Sequence, residues 1–363
     1  MEINAGKLKL DLYCRGIKID PAIHEEKIRK RLRVRGGLGS GVEVILPHNI
    51  WVNIPVFEKF VMDSPYELKE EKEEFYIYKN SMRIVRVDVA KTIEFYHKKT
   101  SEGNLMREIG IMHGGALAFY LGPRCEFWAT GQNCRFCAVG LNVGLIEKEE
   151  KSIGDVVEVA REAFREGVAD FIHINTGYSS DESCGIKTII PYVKALKQAV
   201  NASIAIQTLP PRDNKWIDFA YEAGADSVSF NFEFWGASAF NAICPGKSLK
   251  IGQQRFLDAI KYAVKIFPNG SVAGEIIAGL EPIEETMRAI DFITAAGALP
   301  IVCVFRPVKG TLLEHEKSPD PEKLAPIFEY MYRQCNANGV RMNLVDKVSL
   351  VIMPIEGRFF AQK

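Results

Sequence analysis

Cys125, Cys134 and Cys137 fall within thirteen residues and are the densest group of soft ligands in the chain. Clustered thiols suit a soft metal centre. A structural zinc site is closed by four ligands. No fourth cysteine or histidine stands close in sequence, and His113 is the residue that would have to come in through space. An iron–sulfur cluster on three thiolates instead leaves one iron open to a small molecule. Arg124 and Arg135 flank the group, either offsetting its negative charge or lying on the surface. Three buried cysteines with no metal is the plain alternative, and the spacing weighs against it.

The rest of the composition narrows the setting. The N-terminus Met1-Glu2-Ile3-Asn4 has no basic start followed by an apolar run, and no stretch approaches the roughly 20 apolar residues of a membrane span. The expectation is a cytoplasmic protein, in which thiols stay reduced and eight cysteines ask for a purpose other than disulfides. Lysine plus arginine equals aspartate plus glutamate at 46 each, so no global field favours nucleic acid or an anionic membrane. The basic run 27–35 reads as a solvated helix face. The glycine-rich segment 36–41 reads as a turn, since no clear strand precedes it and no helix follows.

The elements that must position the thiols are legible from residue 115 onward. Strand-like apolar runs cover 116–121, 170–176, 203–209, 227–234, 272–280 and 300–305. Helical periodicity covers 153–166, 188–200, 215–223, 253–266 and 284–296, with a last helix over 321–336. Gly167, Gly224 and Gly297 follow helix ends, where a left-handed cap favours glycine. Six strand–helix units imply a parallel sheet with right-handed crossovers, and six is fewer than a closed barrel of eight. The expected fold is α/β, a partial (β/α)6 TIM-like barrel. It divides as an N-terminal α+β extension over 1–110, the barrel over 111–320, and a C-terminal helix with a strand-like tail over 321–363. Reacting groups should gather at the C-terminal ends of the strands, where the three cysteines fall.

With these residues in view, the chain resembles the radical S-adenosylmethionine (radical SAM) superfamily. Cys134-Arg135-Phe136-Cys137 matches the second half of that family's cluster motif, whereas the eight-residue gap after Cys125 replaces the usual three. Asn175-Thr176-Gly177 ends the second strand, where the family places a turn against the cofactor's amino group. Asn231-Phe232-Glu233 on the fourth strand is similar to the ribose-contacting Asn-x-Asp of biotin synthase. Gly274 to Glu281, with Ile276 and Gly279, is similar to an adenine-contacting stretch, with one residue extra. The chain looks nearest to biotin-synthase-related proteins. It also looks like a branch encoded beside nitrilases, through Met112-His113-Gly114, Pro245-Gly246-Lys247 and 277–280.

The resemblance implies a [4Fe–4S] cluster on the three cysteines that binds S-adenosyl-L-methionine. It also implies reductive cleavage to a 5′-deoxyadenosyl radical and hydrogen abstraction from a small-molecule or protein-bound substrate. The electron would come from a donor such as ferredoxin or flavodoxin. Phe136, Thr176, Gly177, Asn231, Glu233, Ile276 and Gly279 would meet the cofactor; Lys247 and Arg306 either meet a carboxylate of cofactor or substrate or take salt-bridged surface roles. Cys184, Cys244 and Cys303 fall near the expected active face. Either they hold a second iron–sulfur cluster that donates sulfur, as in biotin or lipoyl synthesis, or they are incidental core residues. Sulfur insertion is the favoured reaction; radical C-methylation and a zinc-stabilised binding protein are the alternatives. Cys14 and Cys335 look unremarkable.

Overall fold

The computed structural model describes residues 3–23, 39–90, 92–122 and 124–361. The basic run 27–35 and the first part of the glycine-rich segment, 36–38, lie outside the described residues. Among the described residues no helix is long and apolar enough to cross a membrane.

The barrel sheet has seven strands. They are β7 (Ile111–His113), β8 (Ala116–Tyr120), β9 (Phe171–Asn175), β10 (Ser203–Thr208), β11 (Ser227–Glu233), β12 (Val272–Ala278) and β13 (Leu299–Val304). Their order is β13-β12-β11-β10-β9-β8-β7, and every neighbouring pair from β8 to β13 is parallel. Strand alternation sorts the side chains. On β9, Phe171, His173 and Asn175 face a central cavity, while Ile172 and Ile174 are fully buried. On β11, Val228, Phe230 and Phe232 are likewise buried, each contributing roughly 1.5–3 kcal/mol.

The helices between the strands follow from their sequences. In Ile153–Glu166 the Ser152 hydroxyl accepts from the Asp155 N–H at 3.0 Å, and Gly167 at φ +72° ends the helix. Its buried Val156, Val159, Ala160 and Ala163 recur at three- and four-residue spacing. The expected partial barrel is therefore the observed one, and the expected strands and helices agree with it to within a few residues. The β7 strand was not expected. It pairs antiparallel with β8 through a tight hairpin at Gly114-Gly115.

The N-terminal region builds a second, six-stranded sheet from β1 (Lys18–Ile19), β2 (Val42–Leu46), β3 (Ile50–Ile54), β4 (Tyr66–Glu71), β5 (Glu74–Lys79) and β6 (Met82–Val89). The stretch 67–74, in which every residue but Leu68 is charged, is part of a hairpin in this sheet. Lys72-Glu73 forms its turn with φ of 50° and 67°, the left-handed pair that suits a two-residue hairpin.

The open side of the barrel is closed by chain distant in sequence. The C-terminal segment bridges β13 at Val302–Ile352, and the carbonyl of Lys347 accepts from the Gly115 N–H at 2.9 Å on the far edge. The N-terminal sheet clamps this segment: the Asn53 N–H donates to the Ser349 carbonyl at 2.8 Å, and the Ser349 hydroxyl donates to Glu43. Buried Lys9 and Glu356 pair at 2.8 Å below it. Arg306, just beyond β13, donates to the carbonyls of Ser40 and Asn53 and lies 3.7 Å from Glu58. It fastens the extension to the barrel, in a buried ion-paired role and not the surface one or the carboxylate-binding one that the sequence left open.

Candidate active site

The cysteine loop leaves the C-terminal end of β8 and is stitched to its neighbours by backbone. The Glu126 N–H donates to the Tyr178 carbonyl at 3.0 Å, and the Tyr178 N–H points back at the Cys125 sulfur at 3.4 Å. Phe127 stacks on Tyr178 with ring centres 4.2 Å apart. Further along, the Arg135 N–H donates to the Ile243 carbonyl and the Gly246 N–H to the Gln132 carbonyl. Trp128 lies flat against Gly140, where a Cβ would fall 2.2 Å from its ring, and Arg124 stacks 5.5 Å from the ring centre. Arg124 also donates to the Gly140 carbonyl at 2.6 Å, so it closes the loop as a structural residue.

The three thiols share one neighbourhood. Cys125 and Cys137 both act electrostatically on Tyr120, and each interacts with Cys134. Burial raises the Cys125 thiol, against the pull of the Tyr178 N–H. Burial and the nearby Cys134 sulfur push Cys137 up to about 12, opposed in part by the Trp128 indole N–H. Cys134 goes the other way, because the Cys244 thiol donates to its sulfur. Among the described residues no three His, Cys, Asp or Glu side chains are drawn to one point at ligand distance. The donor set nonetheless fits an iron–sulfur cluster: it is three sulfurs on one loop with a backbone N–H directed at one of them.

Gly177 makes the close approach of Cys125 to the end of β9 feasible. A Cβ there would stand 2.4 Å from the Tyr120 hydroxyl and 2.5 Å from the Cys125 Cβ. Next to it, the Oδ1 of Asn175 is buried without a hydrogen-bond partner. On β11, Asn231 and Glu233, two residues apart, both line the cavity, and the register shifts between them with Glu233 at φ +67°. Glu233 is held by Lys247 at 2.5 Å, and Lys247 also donates to the Asn231 carbonyl at 2.6 Å. Burial works against the Lys247 charge. Glu233 and the Cys134 and Cys244 thiols outweigh that and hold its pKa above the ordinary lysine value.

These groups open on a cavity of about 600 Å³ that runs down the barrel axis. Phe136, Cys137, Asn175, Asn231 and Glu233 line it near the loop, and Glu275, Ile277 and Cys303 line it on β12 and β13. The Gln207 amide donates to Glu275 Oε2 at 2.6 Å, and the Cys303 thiol donates to Oε1 at 3.4 Å. Burial, together with the Glu233 charge, raises the Glu275 pKa to about 7. Beyond β12, Glu281 accepts the N–H groups of Trp235 and Gly236, and burial raises it to about 7 as well.

The structure places several of the residues expected from sequence away from the cavity or apart from one another. Ile276 is fully buried and does not line the cavity; its neighbour Ile277 does, because side chains alternate along β12. Gly279, at φ +106°, packs on Pro319 instead of lining the cavity. His113 pairs with Ala116 at the start of β8, about 13 Å along the strand from its cysteine-bearing end, so it cannot complete a zinc site there. Cys184, Cys244 and Cys303 are not brought together. Cys184 faces Asp181, Arg212 and Arg255; Cys244 faces Cys134; Cys303 faces Glu275. Thr176, unlike Asn175, does not line the cavity.

Sequence reasoning missed Tyr120, Gln207 and Glu275. The two-residue alternation that puts Gln207 and Glu275 on inner faces was available, but it does not say which face is inner.

The radical SAM superfamily description matches residues 130–293, a span that includes Cys134 and Cys137 and begins after Cys125. A curated relative, the bacteriochlorophyllide c C-7(1)-hydroxylase of Chlorobaculum limnaeum, is 26% identical over 56% of this chain and 56% of its own length. The chain thus spans little more than half of that relative. Among solved structures, methylornithine synthase is similar at 15% identity and a TM-score of 0.48, over 62% of this chain and 64% of that one. The [FeFe]-hydrogenase maturase HydG is similar at 14% identity and a TM-score of 0.49, over 63% and 52%.

Proposed function

For a chain that carries a radical SAM domain, we propose that Cys125, Cys134 and Cys137 hold the [4Fe–4S] cluster and that the barrel cavity is the substrate chamber. The observation that carries this reading is the placement of the three thiols. They lie on one loop at the C-terminal strand ends, Cys125 and Cys137 beside Tyr120 and both within electrostatic reach of Cys134, and Cys137 lines the cavity. When bound, the cluster and S-adenosylmethionine supply a 5′-deoxyadenosyl radical able to take a hydrogen atom from an unactivated carbon.

The chain's own residues do the rest. Phe136, Asn231 and Glu233 line the part of the cavity nearest the loop and are the side chains placed to orient a nucleoside. Lys247 fixes the Glu233 carboxylate in position. Residues from the C-terminal segment, among them Leu344, Val348 and Val351, wall the chamber with apolar surface and exclude water. A one-electron donor such as ferredoxin or flavodoxin is the partner this chemistry requires.

Of the reaction types, we favour hydrogen abstraction that ends in functionalising a carbon, as the hydroxylase name of the curated relative suggests. Sulfur insertion would need a donor site, and Cys184, Cys244 and Cys303 stand against different neighbours. The test is anaerobic reconstitution of the wild type and of the variant with all three motif cysteines changed to alanine. The wild type should bind about four irons and show a reduced-cluster EPR signal that S-adenosylmethionine perturbs. The variant should show neither. Retention of the perturbed signal in the variant would end the assignment.

A further inference from the structure

The charge pattern of the cavity points to a class of substrate. Four carboxylates line it among the described residues: Glu147, Asp226, Glu233 and Glu275. Three have a lysine partner: Glu147 with Lys151 at 3.0 Å, Asp226 with Lys197 at 2.7 Å, and Glu233 with Lys247 at 2.5 Å. Glu275 has none within ion-pair distance. Its contacts are the Gln207 amide and the Cys303 thiol, both hydrogen-bond donors that fix the carboxyl in place without neutralising it. The lining residue with a permanent positive charge, Arg306, is turned away onto Ser40, Asn53 and Glu58.

A chamber in which, among the described residues, one carboxyl group stands outside any ion pair and the lining arginine is turned away disfavours a phosphate- or carboxylate-bearing substrate at that carboxyl. It favours a ligand that brings its own positive charge, since an unpaired charge in a low-dielectric site gains most from a partner. Beside that carboxyl Asn231 stands opposite on β11 and Ile301 on β13, and elsewhere the cavity is walled by apolar Ile277 and Val304 from the strands and Leu344, Val348 and Val351 from the closing segment.

Taking the barrel cavity as the substrate chamber, as proposed above, we propose that Glu275 is the counter-ion of an amine-binding subsite, so that the substrate is an apolar molecule carrying a protonated amine. The carboxylate accepts from the ammonium while Gln207 and Cys303 hold its orientation, and the apolar walls take the hydrocarbon body.

The test uses the reconstituted full chain and three probes of one skeleton: cyclohexylmethylamine, cyclohexylmethanol and cyclohexanecarboxylate. Affinities are measured by ligand-observed NMR at neutral pH. The amine should bind at least tenfold more tightly than the alcohol, and the carboxylate should not bind. Glu275→Gln should remove the advantage of the amine while leaving the alcohol unchanged, and Glu275→Asp should retain part of it. Equal binding of amine and alcohol, no binding of the amine, or an amine advantage that survives Glu275→Gln would overturn the proposal. If Glu275→Gln does not fold, the ranking of the three probes on the wild type decides. Iron content and the EPR signal, read on the same samples, separate the two proposals. Loss of amine selectivity with an intact signal defeats this one alone, and amine binding without a cluster defeats the assignment of the cysteines.

Discussion

Replacing Lys247 by methionine would strand the Glu233 carboxylate in a site where the two side chains are only 9% and 6% exposed. Methionine is the informative choice, because it keeps the volume and Lys247 already lies 5.5 Å from the Phe256 ring centre, in apolar surroundings. Removing one partner of a buried ion pair generally costs about 3–5 kcal/mol. Lys247→Met should therefore destabilise the fold by about 3–5 kcal/mol at pH 7. The double variant Lys247→Met with Glu233→Gln removes the stranded charge and should recover most of the loss. The assay is urea unfolding of the cluster-free chain, followed by circular dichroism and tryptophan fluorescence together. A loss below about 1 kcal/mol, or a double variant no better than the single, would refute the reasoning.

Two further outcomes follow from the same geometry. Gly177→Ala puts a Cβ within 2.7 Å of the Cys125 Cα and closer still to its Cβ and the Tyr120 hydroxyl. It should cost about 1–3 kcal/mol and lower the iron incorporated per chain; unchanged stability and iron content would show that the loop yields freely. Stability should also fall as pH rises from about 4.5 to 7. Glu275 and Glu281 titrate near 7 when folded and near 4.5 as free carboxyls, so the folded state holds more protons across that window. Urea midpoints against pH should show Glu275→Gln flattening the fall, with the Glu281 share remaining; an identical slope would place Glu275 in a more solvated site than the structure gives it.

Much of the framework was legible before any coordinates. Helices such as Ile153–Glu166 declare themselves by a serine cap, a three- and four-residue apolar spacing and a terminal glycine, all local signals. The six parallel strands follow from apolar runs between those helices, and the alternation implies crossovers of one hand. The cysteine loop was legible because ligand type and spacing are chemical facts of the chain, whatever its fold. The N-terminal hairpins were harder. The β4–β5 pair carries charge on its exposed face, and the 67–74 stretch shows no apolar run to mark it.

What only the tertiary structure decided concerns contacts between residues far apart in sequence. Lys247 lies fourteen residues from Glu233, and their pairing depends on the chain between them turning back after β11. Arg306 reaches Ser40 and Asn53 across some 250 residues, and Ser349 reaches Glu43 across 306. Cys244 meets Cys134 rather than Cys303, which separated the thiols that sequence position alone had grouped. Sequence periodicity says that Glu275 and Ile276 face opposite ways, but it does not say which of the two faces inward. That was settled by which face the helices cover and by where the N-terminal sheet and C-terminal segment close the barrel. Periodicity is a property of one element, whereas a site belongs to the several elements that meet there.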